Sequence, residues 1–229
     1  NNWISLHENG SLYQHSMLVE NRRKERRADI VAFFEAEYGF HSIDLSNSEQ
    51  GVNPAFLEGT GSMIFDHQAK KVYAAISPRT DAKLVTEFAY KLGYESIQFE
   101  AYGGKGEAIY HTNVMLCIGE DYAVVGLDTI KDSQRESVKN SLINDGKEII
   151  ELTNNQVYNH FAGNMLQIKN KEEERILVMS QNAFESLTSA QIKQLQTFNN
   201  HILNVSIPTI EKVGGGSARC MIAEVFKPR

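Results

Sequence analysis

Cysteine is scarce in this chain. Only Cys117 and Cys220 occur among 229 residues, and no Cys-x-x-Cys pair exists. That leaves too little for a zinc cluster or a disulfide framework, and points to a reduced, cytoplasmic protein. Long apolar runs are missing as well. None approaches the roughly 18 residues that a membrane span needs, and no secretory signal pattern is visible, so a membrane is not expected as a partner. An excess of positive charge is also lacking. The net charge is −6, with 23 Lys and Arg against 29 Asp and Glu, which argues against a general nucleic-acid binder. The one basic cluster, NRRKERR at 21–27, reads as the solvated face of a helix. There is no initiator methionine: Asn1-Asn2-Trp3 runs straight into a strand-like segment, so an N-terminally shortened form of a longer protein is expected.

What is present is apolar content of 41%, enough to bury a good core, arranged in a repeat. Trp3–Met17 reads as two strands around the turn Glu8-Asn9-Gly10, followed by a helix over 22–37 and a strand over 40–45. The same order recurs: a hairpin over 61–77, a helix over 81–92 and a strand over 96–100. It recurs again over 112–128, 132–144 and 148–152, and once more over 163–179, 188–198 and 201–205. Ala218–Phe226 reads as a single closing strand. The units are about 1–52, 53–104, 105–155 and 156–208, with a partial unit at 209–229, all in one domain. An interval of roughly 50 residues implies one supersecondary unit repeated around an axis.

The repeat also places polar residues. Asn2, Glu58, His111 with Asn113, Asn164 and Cys220 all stand at or just before the first strand of a unit. In a pseudo-symmetric ring such positions face one axis, so side chains separated by most of the chain would meet there. Cys220 is the candidate nucleophile. A thiol with a pKa near ~8.5 needs a base or a lowered pKa to react. It follows Gly214-Gly215-Gly216, which permit close approach of a substrate and whose amides, at Gly215 and Gly216, can face an oxyanion. His111 is the candidate general acid and base, and Glu58 the carboxylate that orients it. Cys117, inside VMLCIG, reads as inert core.

With these residues in place, FLEGTGSMIFD, YHTNVMLCIG and GGGSARCMIAEVF resemble the motifs of the guanidino-group-modifying superfamily of arginine deiminases, dimethylarginine hydrolases and amidinotransferases. With NNW, ENRRKERR and SPRTD added, the pattern is most similar to the citrulline-utilisation hydrolases of bacteria. The resemblance spans essentially the whole chain. It implies an α/β fold, a fivefold pseudo-symmetric propeller of ββαβ units, whose N-terminal part is absent from this sequence. It implies Cys220 as nucleophile with a covalent intermediate, His111 as acid and base, and Glu58 as its support. It implies Arg22 and Arg79 as the arginines that bind the substrate's α-carboxylate. Two departures stand out: amides at Asn113 and Asn2 where arginine deiminases carry aspartates, and Gly61 in place of the last residue of the Glu-Gly-Gly-Asp motif. A guanidinium only donates hydrogen bonds and suits carboxylates, whereas a ureido carbonyl needs a donor. The expected reaction is therefore hydrolysis of L-citrulline to ornithine, carbon dioxide and ammonia. Arginine deimination or amidino transfer is the enzymatic alternative, and a catalytically inactive ring scaffold or ligand sensor the non-enzymatic one. The expected partner is a small amino-acid substrate, with no metal or organic cofactor; a homodimer is compatible with the reading.

Overall fold

The computed structural model describes residues 2–226. Its elements repeat as the sequence spacing requires. Strands β1 (Ile4–Leu6) and β2 (Ser11–Gln14) are followed by helices α1 (Glu20–Arg23) and α2 (Ala28–Tyr38) and strand β3 (His41–Asp44). A short helix α3 (Gly59–Ser62) leads into β4 (Ile64–Asp66), β5 (Lys71–Ala75), α4 (Ala82–Leu92) and β6 (Glu95–Phe99). Next come β7 (Leu116–Ile118), β8 (Tyr122–Val125), α5 (Asp132–Asn144) and β9 (Glu148–Glu151), then α6 (Asn154–His160). The fourth set is β10 (Leu166–Lys169), β11 (Arg175–Ser180), α7 (Gln181–Ser186), α8 (Ser189–Phe198) and β12 (His201–Val205), followed by α9 (Pro208–Gly214).

Each set forms its own three-stranded mixed sheet. The first two strands pair antiparallel, and the third returns through the helix to lie parallel to the second. A helix is the connection that a parallel return demands. The local chemistry shows why the elements begin and end where they do. In α4 the Asp81 carboxylate accepts from the Leu84 amide at 3.0 Å, and Gly93 ends the helix in the left-handed region. Val85, Phe88 and Ala89, spaced for one helical face, are its buried residues. Burying each of the two larger ones contributes about 2 kcal/mol.

Charges fasten neighbouring sets. The second and third are joined by Lys71–Asp145 at 2.8 Å and by a fully buried Lys147–Asp66 pair at 3.0 Å. The third and fourth are joined by Lys169–Glu120 at 2.6 Å. The first strands β4 and β7 are neighbours, and so are β7 and β10, so the leading strands of the second, third and fourth sheets come close to one another.

Three expectations are corrected. The helix expected over 22–37 is split into α1 and α2, and the basic run is a solvated face only in part: Asn21, Lys24, Glu25 and Arg27 are exposed, whereas Arg23 and Arg26 make inward contacts. Arg23 turns inward to the Met17 carbonyl at 3.0 Å and to Glu49, and Arg26 to Glu49 and the His15 carbonyl. Ala218–Phe226 forms no strand: a 3-10 turn covers Ala218–Met221, and among the described residues no strand lies beside 222–226. Helices α6, α7 and α9 were not anticipated. The described residues thus build four ββαβ units, and the fifth expected unit contributes the turn carrying Cys220. No helix of the described residues is long and apolar enough to cross a membrane.

The first sheet encloses two buried histidines. Ser5 Oγ bridges His7 Nε2 at 2.9 Å and His15 Nε2 at 2.7 Å. Burial, with help from the charge of His67, pushes His7 down to about 4; burial, helped by His7 and Arg26, pushes His15 down to about 3. Both are neutral in the folded chain, while in the unfolded chain they protonate near 6.5. Their stabilisation is full above that value and is lost as pH falls from it towards the folded values, at up to ~1.4 kcal/mol per pH unit for each histidine. Urea midpoints should therefore fall between about pH 6.5 and about pH 4, and His15→Gln should flatten that slope. An unchanged slope in the variant would contradict this account.

Candidate functional site

The site is assembled from the segments that precede the leading strands. Glu58, completely buried, sits just before α3. Its Oε2 accepts from His111 Nε2 at 2.7 Å and lies 3.4 Å from both Arg22 Nη1 and Arg79 Nη1, while Oε1 accepts from the Leu18 amide at 3.0 Å. Burial works to raise the Glu58 carboxyl. The hydrogen bond and charge of His111, the Leu18 amide and Arg79 outweigh it, and the group lies below its ordinary value. Burial holds His111 below its ordinary value despite Glu58, and the charges of Arg79 and Arg22 add to that effect. A neutral imidazole beside a carboxylate must carry its proton on Nε2, because a carboxylate only accepts. That assignment leaves Nδ1 as the basic atom.

Nδ1 faces Gly61. A Cβ placed on Gly61 would lie 2.9 Å from His111 Nδ1 and Cε1 and 2.9 Å from Asn2 Nδ2. The glycine is thus required by close approach, and an aspartate at 61 has no room in this arrangement. The same contacts put Asn2 beside His111, as the sequence reading expected.

Cys220 is half-buried and unpaired, on the 3-10 turn after the glycine run. Its Sγ receives Asn113 Nδ2 at 3.5 Å and Asn164 Nδ2 at 3.3 Å. Asn113 is two residues beyond His111, and its Nδ2 also reaches the Thr60 carbonyl at 3.5 Å, which ties the thiol to the Glu58–Gly61 segment. Gly216 lies close against the thiol: a Cβ there would lie 3.1 Å from Cys220 Sγ, so the sulfur would have to give by a few tenths of an ångström. Gly215 caps α9, and its carbonyl accepts from the Tyr110 hydroxyl. Burial, followed by the charge of a Cys220 thiolate, pushes the Tyr110 phenol up to about 12, so it remains a donor. The Arg79 guanidinium lies 5.4 Å from the centre of the Tyr110 ring.

The structure therefore brings together all the expected residues in two linked groups. One is Glu58, His111, Arg22 and Arg79 with Asn2; the other is Cys220, Asn113 and Gly216 with Gly215. The two arginines are engaged differently from expectation: both point at Glu58, and Arg22 also pairs with Glu25 at 2.8 Å. Tyr110 was missed, and only its position next to His111 could have suggested it. Cys117 is buried, with its thiol pushed up to about 12 chiefly by burial, consistent with inert core. Among the described residues no group of three or more His, Cys, Asp and Glu side chains is placed to hold a metal.

Similar folds occur in known enzymes. The N-terminal domain of a cyanobacterial arginine dihydrolase, in a cysteine-to-serine variant bound to substrate, is 16% identical; the match covers 99% of this chain and 74% of that one, with a TM-score of 0.74. The same domain bound to product is 17% identical over 100% and 74% of the two chains, also at 0.74. A dimethylarginine dimethylaminohydrolase carrying an adduct with S-methyl-L-thiocitrulline is 14% identical over 96% and 72%, at 0.60. Among curated proteins none matches the sequence. The family model described as N,N dimethylarginine dimethylhydrolase, eukaryotic, matches residues 1–227, so this chain belongs to that family of guanidino-group hydrolases within the amidinotransferase superfamily.

Proposed function

We propose that the chain hydrolyses the terminal ureido group of a free amino acid, L-citrulline, to ornithine, carbon dioxide and ammonia. The observation that carries this reading is the amide surround of the thiol: Asn113 and Asn164 contact Cys220, and Asn2 stands beside His111. The carboxylate of the site, Glu58, is already shared among His111, Arg22 and Arg79. A guanidinium buried here would face amides. A neutral ureido group has both donors and an acceptor to match them.

In the proposed mechanism the Cys220 thiolate attacks the ureido carbon, with the amides of Gly215 and Gly216 near the developing oxyanion. His111, carrying on Nδ1 the proton that the Cys220 thiol gave up, delivers it to the departing δ-nitrogen, which leaves as the amine of ornithine, and Cys220 keeps the carbamoyl group as a thiocarbamate. His111 then takes a proton from water, whose oxygen attacks that carbonyl. The thiol is released with carbamate, which breaks down to carbon dioxide and ammonia. Glu58 holds the imidazole in the productive tautomer. Arg22 and Arg79, each partly exposed, bind the substrate's α-carboxylate as an arginine fork does. The steps call for no metal or organic cofactor. A reducing compartment such as the cytoplasm suits a catalytic free thiol. The fivefold ring of the resemblance would seat Cys220 on its central axis.

A second reading, hydrolysis of arginine or a methylated arginine, is favoured by the family match. Citrulline, arginine and N,N-dimethylarginine assayed separately distinguish the two. The expected result is ornithine from citrulline with a kcat/KM at least about tenfold above either guanidino substrate, the equivalent of one lost polar match. Consumption of arginine or dimethylarginine with no ornithine from citrulline would reject the citrulline assignment.

A further inference from the structure

We infer that Asn164 is both the donor that holds the Cys220 sulfur in place and an acceptor for an N–H of the bound substrate. The side chain comes from the fourth ββαβ unit, just before β10, and is completely buried. Its amide orientation is not ambiguous. Nδ2 lies 2.8 Å from the Asn113 carbonyl oxygen, which can only accept, so the nitrogen must be on that side. The two protons of Nδ2 then have two partners, the Asn113 carbonyl and Cys220 Sγ at 3.3 Å. Asn164 Oδ1 is left buried, with no hydrogen-bond donor among the described residues, and Asn2 Oδ1 is in the same condition.

Buried amide oxygens are satisfied almost everywhere in folded proteins, so two orphans in one site mark where a ligand's donors belong. A terminal ureido group carries N–H donors on both of its nitrogens. The two orphan acceptors can take them. The donor half of Asn164 acts on the sulfur rather than on the substrate. A hydrogen bond to a thiolate is charge-assisted and favours the ionised form, so the same side chain that registers the substrate also favours the nucleophile. The acceptor half of the inference rests on the ureido reading above; the donor half does not.

The test is the pH dependence of Cys220 alkylation by iodoacetamide, with Cys117 buried and slow, together with citrulline kinetics. Asn164→Asp keeps the shape and the acceptor but loses the donor and adds negative charge beside the sulfur. Asn164→Ala loses donor and acceptor. The alkylation midpoint should rise by about one pH unit in the alanine variant and further in the aspartate variant, the order that charge beside a thiolate requires. KM for citrulline should rise about tenfold in the alanine variant, the cost of one substrate hydrogen bond. A merely structural residue would not order the two midpoints by charge. Alkylation curves that superimpose on wild type in either folded variant would overturn the donor role. Raised midpoints with an unchanged citrulline KM would overturn the acceptor role. Raised midpoints in a protein that leaves citrulline untouched would retain Asn164 as the thiol's donor and reject the ureido substrate instead.

Discussion

Replacing Cys220 with serine should abolish ornithine release, by a factor on the order of 10⁴ or more, while leaving the thermal midpoint within a few degrees of wild type. The physical reason is the difference between the two hydrogens. A serine hydroxyl is far less acidic than a thiol, so the neutral His111 imidazole, basic at Nδ1, leaves it almost wholly protonated and a weak nucleophile. The stability expectation follows from the environment. The side chain is half-buried on a 3-10 turn, and its contacts are two amide groups that a hydroxyl can also satisfy. Activity and melting curves measured on the same preparation check both parts. Retained turnover would remove Cys220 from the chemistry, and a collapse of the fold would make the loss uninformative about mechanism and contradict the stability expectation.

The second large effect is expected at Glu58. Glu58→Gln changes one atom, yet that atom is the meeting point of His111, Arg22 and Arg79. A glutamine can turn either its oxygen or its amide towards the imidazole, so the histidine is no longer held to the tautomer that leaves Nδ1 basic. Loss of a comparable buried orienting carboxylate in other enzymes costs about 10⁴ in rate, and a fall on the order of 10³ is expected here. Two arginines whose side chains are 26% and 25% exposed, and an imidazole, also lose their shared counter-charge. Breaking such a group costs about 3 kcal/mol where it is buried, less to the extent that water screens the arginines. The pH dependence has a definite sign. The Glu58 carboxyl is held below its ordinary value, so its contribution is present above the unfolded value of 4.5 and is lost as pH falls through the folded one. Wild type should therefore lose stability in acid more steeply than Glu58→Gln, which urea midpoints across that range measure. Parallel curves would show that Glu58 does not carry the cluster.

Much of this was legible in the residues, because strands and amphipathic helices leave periodic signals. The alternation around Ile64–Asp66 and Lys71–Ala75 and the face of Val85, Phe88 and Ala89 were readable, and β12 was expected at its observed bounds. The meeting of Glu58 and His111 was readable too, since each precedes the first strand of a unit; Cys220 was placed with them on the same pattern, although the strand expected after it does not form. Other features carried weaker signals. Helix α6 announces itself only by a capping box, in which Thr153 and Gln156 satisfy each other's backbone, and α9 only by Pro208 in its first turn. The IAEVF alternation after Cys220 has the look of a strand, but a strand exists only beside another strand, and the described residues provide none there. The basic run at 21–27 misled for a related reason. Arg23 and Arg26 face inward because Glu49 lies there, a contact over more than twenty residues that no local pattern records. The sharing of Glu58 by both arginines is of the same kind.

The central claim is that Cys220 forms a covalent bond to the ureido carbon and that His111 is needed to form and to release it. The direct measurement is mass spectrometry of the Cys220 peptide from wild-type protein acid-quenched during citrulline turnover, beside His111→Ala protein treated alike. The account predicts a carbamoyl group on that cysteine in wild type and none on Cys117, and almost none in His111→Ala, where no imidazole protonates the departing δ-nitrogen. An unmodified Cys220 peptide in protein that still releases ornithine would contradict it.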